Sequence, residues 1–83
     1  MNSFILNLKM ELAKAKKDAF ELETKIKRCF CELNAYCIPY FKNPREIKAE
    51  EIEQIGDELI TLKNALIEVR EKTADLKEQL GED

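Results

Sequence analysis

Two prolines, Pro39 and Pro44, divide this chain into two long segments that share one apolar repeat. Proline lacks the amide proton that a helix needs and clashes with the preceding turn, so a helix that reaches Cys37 must stop there. The run Asn43-Pro44-Arg45-Glu46 has the order of a new helix start: an N-cap asparagine, a proline at the first helical position and a capping-box glutamate. The sequence therefore predicts a single helical-hairpin domain over residues 1–83, with helices at 3–37 and 44–80 and a hinge at 38–43.

Apolar residues recur at alternating spacings of three and four in both segments, which is the heptad repeat of a coiled coil. The a and d positions of the first segment hold Ile5, Leu8, Leu12, Ala15, Ala19, Leu22, Ile26, Cys29, Leu33 and Tyr36. Those of the second hold Ile52, Ile55, Leu59, Leu62, Leu66, Val69, Thr73, Leu76 and Leu80. The predicted fold class is all-α: an antiparallel, coiled-coil-like two-helix hairpin, which we expect to dimerise into a four-helix bundle.

A connection of about seven residues folds the second helix antiparallel onto the first, and the a positions of each segment then match the d positions of the other in order. The predicted layers run from Cys29–Ile52 near the hinge, through Leu22–Leu59, to Ile5–Leu76 at the open end. Near the hinge, Leu33 and Tyr36 would then face Lys48 and Arg45. The same pairing places Lys9 beside Arg70, Lys16 beside Lys63 and Lys25 beside Glu58.

Charge is distributed unevenly between the two segments. Residues 1–43 contain eight Lys/Arg and five Asp/Glu, whereas residues 44–83 contain six and twelve, so folded-back helices attract each other. A net charge of −3 is unlike the basic domain of a nucleic-acid-binding protein, and direct nucleic-acid binding is not expected. No segment is long and apolar enough for a membrane span, so no membrane partner is expected either.

The three cysteines, Cys29, Cys31 and Cys37, and the absence of histidine bear on chemistry and location. An odd cysteine count, with no signal-peptide pattern at the N-terminus, predicts reduced thiols in the cytoplasm. Cys29 and Cys31 diverge on a helix, and neither a histidine nor a fourth thiol completes a zinc site. The two isolated glycines cannot form a phosphate loop. We therefore expect no catalytic residue, no cofactor, no metal and no enzymatic activity.

Large apolar residues outside the seams mark a candidate interaction surface, because a patch of this kind on a small protein is typical of an interface. They occupy b positions beside a ridge of cationic e positions. The candidate partner-binding residues are Leu6, Phe20, Ile60 and Ile67, with Lys9, Lys16, Lys63 and Arg70. Two interpretations stay open: a second copy of the hairpin covers this face as a homodimer, or a different, acidic protein does.

The hinge is the second candidate surface, because Ile38, Tyr40 and Phe41 are unusually apolar for a loop. They either fold over the hinge end of the seam or form an adhesive tip that docks on a target.

These features together predict a non-enzymatic protein–protein interaction or assembly module. It self-associates through one helical face and binds a target protein, of unknown identity, by its hinge or helix surface. The alternative is a small inhibitor or regulator that occupies a surface of a nucleic-acid-handling complex, of the kind that phages or mobile elements encode.

Overall fold

The computed structural model describes residues 2–81, which form two long helices and the connection between them. Helix α1 spans Asn2–Tyr36 and helix α2 spans Ala49–Leu80, with a single 3-10 turn, Pro44–Glu46, between them. The helices pack antiparallel in a rod of 68 × 18 × 15 Å. All regular structure in the described residues is helical, so the predicted all-α hairpin is confirmed.

The core consists of seam residues, as the heptad repeat predicts. Every residue that is buried among those the structure describes lies at an a or d position: Leu8, Leu12, Ala15, Cys29, Ile55, Leu62 and Leu76. They form two clusters, one at the open end of the hairpin and one nearer the hinge. Burial of these side chains is the main stabilising contribution that a two-helix protein can make for itself.

The turn at Asn43 forms as predicted but does not begin the long helix. The Oδ1 atom of Asn43 accepts a hydrogen bond from the N–H of Arg45 at 3.0 Å. The Glu46 carboxylate accepts a second bond, from the N–H of Lys42 at 2.9 Å. These two bonds resemble a capping box, and they satisfy amide groups that would otherwise lack partners.

The capped turn is only three residues long, so the predicted helix start at residue 44 is wrong. Ile47 follows the turn in an extended conformation, with φ −72° and ψ 121°, and this interrupts the helical path. Helix α2 begins at Ala49, after Lys48, and Lys48 makes no side-chain capping bond. The connection therefore covers residues 37–48 rather than 38–43.

With the longer connection, the pairing of the seams is shifted along the helices from the predicted one, so the predicted register is wrong. Leu80 packs against the cluster of Leu8 and Leu12, although the predicted register placed it beyond both. Arg70 Nη2 lies 2.9 Å from Glu23 Oε1, whereas the prediction placed Arg70 beside Lys9. Cys29, which the prediction paired with Ile52, lies in a cluster with Ile55 and Leu62, and Lys16, which it paired with Lys63, lines a hollow with Lys77.

The shift has a physical reason near the hinge. The predicted register would have placed Leu33 and Tyr36 opposite cationic residues. In the structure, Leu33 instead packs against the cluster of Cys29, Ile55 and Leu62. Contact between Leu33 and other apolar side chains thus replaces the predicted contact between Leu33 and Lys48, and the burial of apolar surface favours the observed register.

The cost of the shift falls at the open end. Ile5 loses its predicted partner Leu76 and is 49% exposed. Leu76 instead lies in the cluster with Leu8 and Leu12. The observed register therefore loses the predicted contact between Ile5 and Leu76 at the open end and gains apolar packing at the hinge end.

The register predicts a specific energetic coupling. Leu12→Ala and Leu76→Ala should each lower the free energy of unfolding by about 2–4 kcal/mol, because each removes a large side chain from one buried cluster. Since the two side chains share that cluster, we expect a coupling of about 0.5–3 kcal/mol in a double-mutant cycle measured by denaturant unfolding.

Ile5→Ala is the matched control for this cycle. It should cost much less than Leu12→Ala, and its effect should add to that of Leu76→Ala. Coupling between Ile5 and Leu76, together with additivity of Leu12 and Leu76, would restore the register predicted from the sequence.

Candidate functional site

The candidate site is a groove between α1 and α2 on the side of the hairpin that carries the Glu23–Arg70 ion pair, and we call this surface the groove face. Its walls are formed by successive e positions, Lys16, Glu23 and Phe30 on α1 and Arg70 and Lys77 on α2. The ion pair bridges the groove and separates a distal hollow, farther from the hinge, from a proximal hollow nearer to it.

The distal hollow has a volume of about 510 Å³ and lies where small side chains meet. Ala19 on α1 lines it together with Thr73 and Ala74 on α2, because the observed register places these short side chains at the same level. The Thr73 hydroxyl donates a hydrogen bond to the backbone carbonyl of Val69 at 2.9 Å and needs no external partner. Phe20 stands at the rim and is 69% exposed. The side chains of the hairpin therefore leave this space unfilled.

The proximal hollow has a volume of about 400 Å³ and is lined by the apolar side chains of Ile26, Phe30 and Leu66. Lys27 and Arg70 also line it. Since the two hollows are one heptad apart on α1, the helical rise of about 1.5 Å per residue separates their centres by about 10 Å.

The groove face is cationic. The residues that line the two hollows include four cations, Lys16, Lys27, Arg70 and Lys77, and one carboxylate, Glu23. That carboxylate is already paired with Arg70, and because both side chains are solvent-exposed the pair contributes about 0–1 kcal/mol. The exposed residues Lys9 and Lys63 occupy the same heptad position as Lys16 and Arg70 and extend the cationic stripe in both directions.

The structure places the predicted partner-binding residues on the surface, but not in the predicted arrangement. Leu6, Phe20, Ile60 and Ile67 are all exposed. Of the predicted cations, Lys16 and Arg70 line hollows of the groove, whereas Lys9 and Lys63 line neither of them.

Sequence reasoning missed Lys27, Phe30 and Lys77 as groove residues. All three lie at the e and b positions from which the other candidates were drawn, so the signal was present in the repeat. The predicted register concealed it, because it placed Lys16 beside Lys63, whereas Lys16 and Lys77 line the same hollow.

The hinge forms a third hollow, of about 450 Å³, at the end of the seam. Ile38, Tyr40 and Phe41 line it together with Ile52 from α2. All three hinge side chains nevertheless stay exposed, and Tyr40 is 87% exposed. They therefore cover the end of the seam only in part and present an apolar tip to solvent.

The opposite side of the hairpin is acidic near the hinge, where Glu32, Glu51 and Glu58 line a small hollow. Cys29 lies in the core beside this group and is 1% exposed. Burial raises the pKa of the Cys29 thiol, and the Glu58 carboxylate raises it further, by its charge and by a hydrogen bond with the thiol. Glu32 also raises this pKa, whereas Arg28 lowers it.

The other two thiols, Cys31 and Cys37, are free and exposed. Within the part of the chain that the structure describes, no group of three or more His, Cys, Asp or Glu side chains is placed to hold a metal ion. Neither described helix combines the length and the apolar character that crossing a membrane requires.

Comparison with known proteins assigns no family: no family model, no curated protein and no solved structure matches the chain. The function of the groove face and the hinge is therefore inferred from their own geometry and charge.

The environment of Cys29 predicts its titration. Glu58→Gln removes the largest negative charge effect on the thiol, so the pKa of Cys29 should fall in a chain that carries Cys31→Ser and Cys37→Ser. The ultraviolet absorbance of the thiolate, followed against pH, measures this. Because the folded-state pKa is raised, the stabilisation from Cys29 is complete below the pKa of the thiol in the unfolded chain and is lost as pH rises through the folded-state value.

Glu78→Gln is the control, since it removes the same charge from an exposed position near the other end of α2. It should leave the pKa of Cys29 unchanged. Equal effects of the two variants would show that Glu58 does not act locally on the thiol.

Proposed function

We propose that this chain is a non-enzymatic protein-interaction or assembly module that self-associates through its groove face and binds a target protein with its hinge or helix surface. The observation that carries the proposal is that exposed large hydrophobic side chains outnumber the buried residues. Across residues 3–81, thirteen large hydrophobic side chains are exposed, whereas seven residues are buried. A two-helix hairpin is too thin to cover two sides of its own helices, and exposed apolar surface of this extent is typical of interfaces.

Self-association would cover the apolar part of the groove face. A second hairpin packed on this face would cover Phe20, Ile60 and Ile67 and complete a four-helix bundle. The cations that line the groove would then approach those of the partner copy, and like charges repel. We therefore expect self-association to strengthen as salt screens this repulsion, with a screening length of about 10 Å at 0.1 M.

The hinge is a second surface for a target. Its exposed aromatic side chains, Tyr40 and Phe41, belong to the same connection as the exposed cations Lys42, Arg45 and Lys48. Aromatic residues and arginine are enriched in protein interfaces, where large side chains bury much area. This tip supports docking on a target protein independently of the groove face.

A double variant tests self-association through the groove face. Phe20→Asp combined with Ile67→Asp should abolish oligomers, because two carboxylates replace two apolar contacts that a second copy would cover. Circular dichroism should show little loss of helix, since both side chains are exposed. Light scattering at about 50 mM and 500 mM salt, values that bracket the screening range, measures the solution mass.

The matched control combines Met10→Asp with Thr61→Asp. It adds the same two charges to exposed helix positions outside the groove face. This variant should keep the mass and the salt response of the unaltered chain. If both double variants dissociate equally, or if the unaltered chain is a monomer at both salt concentrations, self-association through the groove face is contradicted.

A further inference from the structure

The two hollows of the groove face have the spacing of side chains on a helix. They lie one heptad apart along the groove, on either side of the Glu23–Arg70 pair. An amphipathic helix that lies in a groove presents its anchoring residues at i, i+3, i+4 and i+7. Residues i and i+7 of such a helix are separated by about 10 Å, which matches the separation of the two hollows.

The linings of the hollows favour large apolar anchors. Ala19, Thr73 and Ala74 leave the distal hollow open between the helices. Ile26 and Leu66 give the proximal hollow an aliphatic lining. The one hydroxyl among these five residues, that of Thr73, is satisfied by the helix backbone, so an apolar side chain that enters would leave no polar group unpaired.

The charge around the hollows favours an acidic partner over a second copy. Four cations face the groove, and its one carboxylate is paired with one of them. Two hairpins placed face to face would bring cations against cations. A helix with carboxylates on both sides of its apolar stripe would instead bring opposite charges together, and this arrangement increases specificity and association rate.

We infer that the groove face takes an acidic amphipathic helix of a partner protein. This helix places two large apolar side chains, one heptad apart, in the distal and proximal hollows, and directs its carboxylates towards Lys16, Lys27 and Lys77. The inference rests on the proposed function, in that the groove face is an interaction surface, and it names the class of partner. The acidic helix and a second copy then compete for one groove, with opposite responses to salt.

A synthetic helix tests this directly. The probe is a labelled three-heptad peptide with two leucines one heptad apart and glutamates on the flanking positions, and fluorescence anisotropy measures its binding to the full chain. A second peptide replaces each glutamate with lysine, and a third replaces the two leucines with alanine. We expect the acidic leucine peptide to bind at least about tenfold more tightly than either comparison peptide, a difference of about 1.4 kcal/mol. Its affinity should fall as salt rises.

Variants of the chain locate the bound peptide. Ala74→Phe fills the distal hollow from an exposed position and should weaken binding by about tenfold or more. The matched control is Ala35→Phe, the same substitution at an exposed alanine outside the groove. This control should bind like the unaltered chain.

Charge reversal gives the sharpest result. Lys16→Glu with Lys77→Glu should lose the acidic peptide and gain the lysine-flanked one, while circular dichroism stays unchanged because Lys16 is exposed and Lys77 lies at the hollow rim. An exchange of preference cannot come from a folding defect.

Four results would overturn the inference. The first is equal binding of the acidic and lysine-flanked peptides. The second is full affinity in the Ala74→Phe chain. The third is a single-stranded oligonucleotide that binds more tightly than the acidic peptide and is lost on charge reversal, which would identify the groove as a nucleic-acid site. The fourth is a salt-strengthened dimer that binds none of the peptides, which would reject the acidic helix but leave self-association standing.

Discussion

The packing of the hinge end of the seam is the constraint on which the rest of the structure depends. The heptad repeat permits several registers, because a slide of a whole heptad again places a and d residues in contact. The hinge selects among them by what faces Leu33 and Tyr36. With the connection extended to residues 37–48, Leu33 packs on the core cluster and Tyr36 lies with Ile52 beside the hinge hollow. The apolar contacts near the hinge thus determine which residue of α1 lies opposite each residue of α2 along the rod.

The register then creates the groove face. It brings Ala19 to the level of Thr73 and Ala74, so short side chains from both helices meet at one hollow. It also gathers cations from both helices around this opening and pairs Glu23 with Arg70. A hairpin of this thickness cannot cover such a surface itself. Partner choice then depends on two opposing terms: apolar burial, which favours any complementary helix, and charge, which disfavours a second copy and favours an acidic one.

The sequence predicted the fold and the core positions, because periodicity alone identifies which side of a helix is buried. It also predicted the Asn43 turn, whose local hydrogen bonds depend on neighbouring residues. It failed on the start of α2, because nothing in the neighbouring residues indicates the extended conformation of Ile47 after the turn. That conformation belongs to the longer connection, which lets Leu33 pack on the core cluster. The omission of Lys77 and Phe30 from the predicted site followed from that error. Residue types at the candidate site were therefore predictable, while their neighbours across the groove were not.

The register itself can be measured most directly by cross-linking, in a chain with Cys29→Ala, Cys31→Ser and Cys37→Ser. Lys16→Cys with Lys77→Cys places two thiols at one hollow, whereas Lys16→Cys with Lys63→Cys places them at the level predicted from the sequence. A short bis-maleimide reagent at high dilution, followed by mass spectrometry, reports which pair is bridged within one chain. The structure predicts an intramolecular bridge for the first pair and none for the second. A bridge for the second pair alone would contradict the register, and with it the two hollows and the partner inferred from them.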